Sequence, residues 1–370
     1  MINRAELRSQ HLVNYTSIYL NSPANGIPSL ANEKFVAAEI AKFREAPASY
    51  RLDFMTQAVP AIKKQVAGLI NGSISEVALI PNFSIGLNLF INSLPSETKV
   101  LLIEDDYPSL TIPFQVNELD VLWTTFEEDH TLDLAKIEAT IKEHRPAFFA
   151  LSHCQYLTGY LADLESIGAI CKQYDCKLIV DATQSFGAME IDVQKCQVSV
   201  LGASCYKWAL AGFGNGFLYV SEDTLNTYPP KSAGYNSFLW TNGVPAYLPS
   251  IKSYEPGHHD HTAFHRLGFA LQTITELGQD FIHLRITELM DYLIQQLQES
   301  KIPTIGDFYD ENRLGILTIP SKEGLFQHLL SQGIEASERG GNIRIGLHYY
   351  NNEEDVDVFV KELKRFTPSP

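Results

Sequence analysis

With 370 residues and a formal net charge of -16, the chain can bury a large core but is too acidic to bind nucleic acid or an anionic membrane through charge. The length suggests one large domain and one smaller one. The N-terminus is polar and no uncharged apolar stretch could span a bilayer, so neither a secretory leader nor an anchor is expected. Five cysteines (Cys154, Cys171, Cys176, Cys196 and Cys205) form no CxxC pair and read as reduced thiols of a cytoplasmic protein.

In chain order, short apolar runs alternate with segments of helical period. Val77–Ile80 reads as a strand, followed by a polar-glycine turn and a helix from about Ile85. Lys99–Ile103 and Ala147–Ser152 are the next strands, and a helix runs from about Leu164 to Tyr174. Lys177–Val180, Val198–Gly202 and Gly216–Val220 complete six strands. Several of these runs are apolar throughout, which suits a sheet covered on both faces; the fold class is therefore α/β with a mostly parallel sheet. In such sheets ligands sit at the C-terminal strand ends. Residues 228–257, rich in Pro, Gly, Ser and aromatics, read as a long active-site or interface loop. One long helical stretch is expected from about Thr262 to Ser300. Strands at Leu314–Ile319 and Ile343–Leu347, between helices at Lys322–Gln332 and Glu353–Lys364, suggest a smaller α+β domain. The boundaries are then 16–256 for the large domain and 257–370, with 1–15, for the small one.

Lys207 carries the functional reading because of what precedes it. Asp181 closes a buried strand, Gln184 follows three residues later, and Ser204-Cys-Tyr206-Lys207-Trp ends the next apolar stretch. A strand-end carboxylate, an amide and a lysine flanked by hydroxyls are the parts needed to hold pyridoxal phosphate. Asp181 would keep the pyridine nitrogen protonated, Gln184 would bond the phenolic oxygen, and Lys207 would form the Schiff base. Asp181 could equally start a helix as its cap. Ser204 and Tyr206 can donate to the phosphate. The turn containing Asn82, Phe83 and Ser84 opens a helix after a strand and offers a second phosphate cradle, although Asn or Ser there also makes an ordinary cap. Tyr107 is placed to stack on the ring, or simply to fill the core. Gln155 could touch the phenolic oxygen or the substrate carboxylate; His153 could cover the site or be a satisfied core histidine. Arg344, in an otherwise apolar strand, needs an anion to face, and its planar fork matches an α-carboxylate; Arg339 is a second candidate. His261 and His265 share helical spacing, but no HExxH motif or nearby thiol accompanies them, so no metal site is expected.

Together these segments resemble the class V aminotransferase family of fold-type I pyridoxal phosphate enzymes. The resemblance starts at Ile18-Tyr-Leu-Asn21-Ser-Pro-Ala-Asn-Gly-Ile-Pro28 and passes through Asn82-Phe-Ser84, Glu104-Asp-Asp-Tyr107 and Ser152-His-Cys-Gln155. It continues through Val180-Asp181-Ala-Thr-Gln184 and Ser204-Cys-Tyr206-Lys207 to Arg344-Ile-Gly-Leu-His-Tyr-Tyr-Asn. It implies a homodimer with interface active sites, a small amino-acid substrate, Asn21 among the substrate ligands, and His258 where relatives have a threonine reaching the partner's phosphate. Desulfurases of this family carry a nucleophilic cysteine on a loop shortly before the arginine strand. Here no cysteine follows Cys205 and Glu338-Arg-Gly-Gly-Asn-Ile leaves no room for that loop. The expectation is an aminotransferase-type enzyme acting at the α-carbon of an amino acid. A lyase of the cystine or selenocysteine type, a kynureninase-like hydrolase or an epimerase is the alternative, and a catalytically idle binding protein of the same fold is the non-enzymatic one.

Overall fold

The computed structural model describes residues 3–12, 17–306 and 312–366. The expected start of the large domain, at residue 16, lies outside the described residues.

Seven strands form the central sheet: β1 (Val77–Ile80), β2 (Lys99–Ile103), β3 (Asp120–Thr124), β4 (Phe148–Ser152), β5 (Lys177–Asp181), β6 (Val198–Ser204) and β7 (Gly216–Val220). Their order is β1-β7-β6-β5-β4-β2-β3. The four contacts from β3 to β6 are parallel, and β7 lies antiparallel between β1 and β6. The unbroken apolar runs are explained by two hydrophobic cores, one per face. Leu101, Phe149, Leu151, Leu178 and Val180 enter one core; Val100, Phe148, Ala150 and Ile179 enter the other. Each strand alternates its side chains between two covered faces, so no polar alternation is needed. The sheet and its flanking helices form the expected α/β architecture.

The remaining elements adjust the sequence reading in three places. The edge strand β3 was not anticipated; Asp120 and Trp123 are exposed, so it lacks an apolar run. The expected loop at 228–257 contains a hairpin, β8 (Phe238–Thr241) and β9 (Val244–Tyr247), turning at Asn242 and Gly243 with φ of 52° and 79°. Those angles are the pair a two-residue hairpin turn requires, and Asn-Gly supplies them with little strain. The long helix is two helices, His261–Leu277 and Gln279–Glu299, separated at Gly278, whose φ of 84° no helix continues through. Among the described residues, no helix is long and apolar enough to cross a membrane.

A three-stranded antiparallel sheet, ordered β10 (Ile316–Pro320), β12 (Asn342–Gly346) and β11 (Ser337–Arg339), lies in the C-terminal part. The N-terminal segment ties it to the central sheet. Ile18–Tyr19 pairs with Ile334–Glu335, and Asn21 bridges to Gly346. The same segment then crosses the chain beside Lys207, where the Gly26 N–H donates to Tyr206 O at 2.8 Å.

A Cβ on Gly26 would stand 2.0 Å from Lys207 O and 2.3 Å from Leu210 Cδ2. Gly26→Ala should therefore cost about 1–3 kcal/mol through overpacking. Gly68, in the helix Val59–Leu69 with nothing within 4 Å of its added Cβ, is the control, and Gly68→Ala should be neutral or stabilising. Paired thermal melts check this; equal midpoints for the two variants would refute the close crossing.

Candidate active site

The parallel register sets the C-terminal ends of β4, β5 and β6 side by side, with Ser152 opposite Asp181 and Asp181 opposite Gly202. Side chains from these ends, from the turn after β2 and from β12 converge on Lys207.

Lys207 is buried, and its Nζ lies 5.5 Å from the ring centre of Tyr107 and 5.6 Å from that of Tyr206. Burial lowers its ammonium to about 8, while the charge of Asp181 acts in the opposite direction. Asp181 is buried too; burial raises its carboxyl to about 6, partly offset by bonds from Thr183, whose N–H donates at 2.9 Å. Residues 183–185 form a turn rather than an α-helix, so Asp181 caps no helix. Arg344 is 3% exposed. Its Nη1 donates to Tyr156 O at 2.8 Å and its Nη2 to Ser337 Oγ at 3.4 Å, while its Nε is buried without a partner. Burial, then the charge of Arg339, lowers its guanidinium to about 10. Among the described residues none of these three ionisable groups forms an ion pair. Burying charge without a counter-charge is costly. The arrangement is that of a receptor for charges supplied from outside the chain.

The amide of Gln184 has a defined orientation. Trp208 Nε1, which can only donate, bonds Gln184 Oε1 at 2.8 Å, and Gln184 Nε2 donates to the Pro23 carbonyl at 3.1 Å. One Nε2 hydrogen remains to be offered. Trp208 is itself held by His348, whose ring stacks on it at 5.4 Å and whose Nε2 faces Trp208 O at 3.0 Å.

At the turn expected to cradle a phosphate, Asn82 caps the helix Phe83–Ile91 by accepting from Ile85 N–H at 3.0 Å. Phe83 N–H donates to Ser204 Oγ at 2.9 Å, which leaves the Ser204 hydroxyl hydrogen available to donate. Ser204 thus joins the end of β6 to the start of that helix. Tyr206 stacks on Phe213 at 4.7 Å, and burial raises its phenol to about 12, so it stays a donor.

Several expected residues have other partners. Gln155 is engaged by its own turn: Oε1 accepts from Leu157 N–H at 2.6 Å and Thr158 N–H at 2.8 Å, and Nε2 donates to Asp105 O at 3.3 Å. His153 pairs with Ser185 Oγ at 2.9 Å, and burial lowers it to about 3, so it is a neutral, satisfied core histidine. Asn21 accepts from the Ser337 hydroxyl that also contacts Arg344, which puts it one residue from the guanidinium. His258 is exposed and lines a separate cavity with Phe43, Tyr50 and Phe54, so a single chain does not bring it to Lys207. His261 faces the Tyr50 hydroxyl at 3.4 Å, and His265 lies 3.6 Å from Glu39.

Three residues of this candidate site went unanticipated. Asp106 is buried and accepts from Tyr107 N–H at 2.6 Å and Ser152 N–H at 2.8 Å, fixing Tyr107 to the end of β4. Tyr156 stands edge-on to Tyr107 at 5.2 Å. Ser337 orients both Asn21 and Arg344. Asp106 was legible as the last of three acids at a strand end; Tyr156 and Ser337 carried no sequence signal.

The residues present fit pyridoxal phosphate. Asp181 lacks a cation and can face a ring N–H. Lys207 is a buried amine whose ammonium burial lowers to about 8. The helix opening at Phe83, with the Ser84 N–H and Ser204 hydroxyl, suits a phosphate.

The Aminotransferase class-V family model matches residues 46–359. A probable cysteine desulfurase of Pyrococcus abyssi is 24% identical over 354 residues, covering 86% of this chain and 86% of that protein. The apo cysteine desulfurase of Thermococcus onnurineus NA1 superposes with a TM-score of 0.90 at 21% identity, covering 99% of this chain and 98% of that one. The cystine C-S lyase C-DES, solved with its product cysteine persulfide, gives a TM-score of 0.86 at 20% identity, covering 95% and 98%.

The raised carboxyl of Asp181 gives a signed prediction for the protein free of cofactor. Its ordinary value is 3.8 and its folded value about 6. Across that window the folded state holds a proton that the unfolded chain releases, so stability falls as pH rises. Asp181→Asn lacks this penalty. The variant should melt a few degrees above the parent at pH 8, by roughly 2–4 °C, and the gap should close by about pH 4. A pH-independent gap would show that the carboxylate is not destabilised by burial.

Proposed function

The chain belongs to the class V aminotransferase family, pyridoxal 5'-phosphate enzymes that act on amino acids, and we propose that Lys207, Asp181 and Arg344 are the groups with which it does so. The observation that carries this reading is Arg344, a buried guanidinium with an orphaned Nε and no ion pair to a carboxylate among the described residues. A substrate α-carboxylate is the anion its fork matches. When bound, pyridoxal phosphate supplies the sink for the electron pair left at the α-carbon.

Asp181 would hold the ring nitrogen and the spare Gln184 N–H its phenolic oxygen. Ser84, Ser204 and Tyr206 would hold the phosphate, with Tyr107 over the ring. Arg344 fixes the carboxylate, and so the α-carbon, relative to the lysine. Lys207, brought to about 8, accepts the α-proton near neutral pH and then gives it up again. Its burial keeps bulk water from competing for that proton.

We favour amino transfer as the overall reaction, since it asks nothing of the chain beyond an anchored carboxylate and one shuttling amine. Elimination of a side-chain group is the second reading, favoured by the fold shared with the cystine C-S lyase. It too needs no enzyme thiol, and burial raises Cys154, the thiol within reach of the Lys207 and Arg344 charges, to about 12. The buried, reduced cysteines fit a cytoplasmic protein. The exposed Phe238, Trp240 and Tyr247 of the hairpin, and His258 beside it, fit a homodimer whose interface completes the phosphate site.

Borohydride reduction of the holoenzyme followed by peptide mapping should place the label on Lys207; label elsewhere overturns the assignment. In a panel of amino acids, stoichiometric conversion of the cofactor to pyridoxamine phosphate supports transfer. Pyruvate and ammonia without a keto-acid acceptor would support elimination instead. Arg344→Gln should keep the Lys207 label while raising the amino-acid KM about 100-fold, the cost of one charge-assisted pair, and Arg344→Lys should not restore the fork.

A further inference from the structure

Four buried rings stack in a row that ends at Trp208, the residue after Lys207. His11 stacks on Tyr350 at 5.2 Å between ring centres, Tyr350 on His348 at 5.0 Å, and His348 on Trp208 at 5.4 Å. The polar edges of the first three rings are spent beside the row itself. His11 faces the Ile27 carbonyl and the Tyr349 hydroxyl, Tyr350 faces Ser22, and His348 faces Trp208 O. The last ring differs: the indole N–H of Trp208 leaves the row and donates to Gln184 Oε1.

A glutamine amide has two ends of opposite sign and nearly the same shape, so its neighbours decide which end it presents. Both neighbours of Gln184 are of one sign only. Trp208 Nε1 can only donate, and the Pro23 carbonyl, which takes Gln184 Nε2 at 3.1 Å, can only accept. Turning the amide over would set N–H against N–H at one contact and oxygen against oxygen at the other. Both neighbours are packed in place. Trp208 is held by the row of rings and lies against Gly315, where an added Cβ would strike the indole. Pro23 lies against Gly346, where an added Cβ would strike the pyrrolidine ring. The second Nε2 hydrogen is therefore presented with a fixed sign. Accepting the indole bond also polarises the amide, which makes that hydrogen a stronger donor.

We propose that Trp208 is a positioning residue: its bond to Gln184 Oε1 holds and polarises the amide that meets the phenolic oxygen of pyridoxal phosphate, and so makes the proton of the Lys207 Schiff base more acidic. The inference rests on Gln184 lying at the phenolic oxygen. A donor to that oxygen stabilises its negative charge, and does so most once the Schiff-base proton, which offsets the charge, has left. Losing or weakening the donor therefore raises the pH at which that proton is lost.

The test titrates the holoenzyme with pH and follows the absorbance of the bound cofactor, which reports the Schiff-base proton and needs no turnover. Gln184→Ala removes the donor and should raise the midpoint by about one pH unit, the value of one charge-assisted hydrogen bond. Trp208→Phe leaves the amide present but loosened and should raise it by roughly half a unit. Phe leaves space beside Gly315, so Trp208→benzothienylalanine is the shape-matched variant. It keeps the bicyclic ring, puts sulfur in place of the N–H, and should give the same rise. Trp208→Phe combined with Gln184→Ala should titrate as Gln184→Ala alone, because the indole acts only through the amide. A parental midpoint in both Trp208 variants overturns the proposal, as does a combined variant that rises by the sum of the two. A rise with Phe that is absent from the shape-matched variant traces to packing and overturns it too. If Gln184→Ala itself leaves the midpoint unmoved, the placing of Gln184 at the phenolic oxygen fails, and this inference falls with it. If Gln184→Ala raises the midpoint and the Trp208 variants do not, that placing stands and this inference alone fails.

Discussion

Three ionisable groups, Lys207, Asp181 and Arg344, are buried at one end of the central sheet without pairing with each other or with any other described residue. Everything nearby follows from that imbalance. A direct Lys207–Asp181 pair would have been the cheaper way to bury both groups, and it would have left a fully charged lysine and an occupied carboxylate. Held apart, each pays for burial in its protonation equilibrium: the lysine moves toward neutrality, the carboxyl toward protonation, and the guanidinium is weakened. Those shifts suit an amine that must lose and regain a proton, and two sites that must each receive a charge from a ligand. Stability forgone in the empty protein is recovered when a ligand binds.

Holding such groups apart needs a rigid frame, and the frame is built from distant parts of the chain. The N-terminal segment fixes Gln184 through Pro23 and the Tyr206 carbonyl through Gly26. The C-terminal part fixes Trp208 through His348, which burial lowers to about 3 and so keeps neutral. His348 Nδ1 accepts from Tyr349 N–H at 2.8 Å, so its proton sits on Nε2 and points at the Trp208 carbonyl. Gly315 admits the indole, since a Cβ there would lie 2.4 Å from Trp208 Cη2. The chain on both sides of Lys207 is thus clamped by segments more than a hundred residues away.

Much of this was legible because the chemistry demands residue types that are out of place otherwise. A lysine among apolar neighbours, an acid closing a buried strand and an arginine inside an apolar strand each announce a cost that only function explains. The six strand runs were legible for a related reason: both faces are covered, so hydrophobicity is continuous. The edge strand Asp120–Thr124 was not, because one of its sides meets solvent. The hairpin at Phe238–Tyr247 was hidden by composition, although Asn242-Gly243 between β-prone residues was a usable turn signal. Tyr156 and Ser337 were invisible because their roles depend on which segments the fold brings together. Gln155 shows the converse: its place at a strand end suggested a ligand contact, but its amide is engaged by the turn that follows.

The fate of sulfur follows from the same frame. Relatives named for cysteine desulfurization share the fold, yet the stretch before the arginine strand is here a tight hairpin. Gly340 and Gly341, with φ of 56° and 74°, join β11 directly to β12. The two left-handed residues that close the turn favour glycine over a residue that carries a thiol. Cys205, two residues before the lysine, is buried and its thiol pushed far up by burial, which keeps it from acting as a thiolate. A sulfur atom released at the α-carbon's neighbour would therefore have no nucleophile in the described chain to receive it, and would leave on the product. The same short turn places Arg339, the last residue of β11, among the residues that line the cavity beside Tyr156.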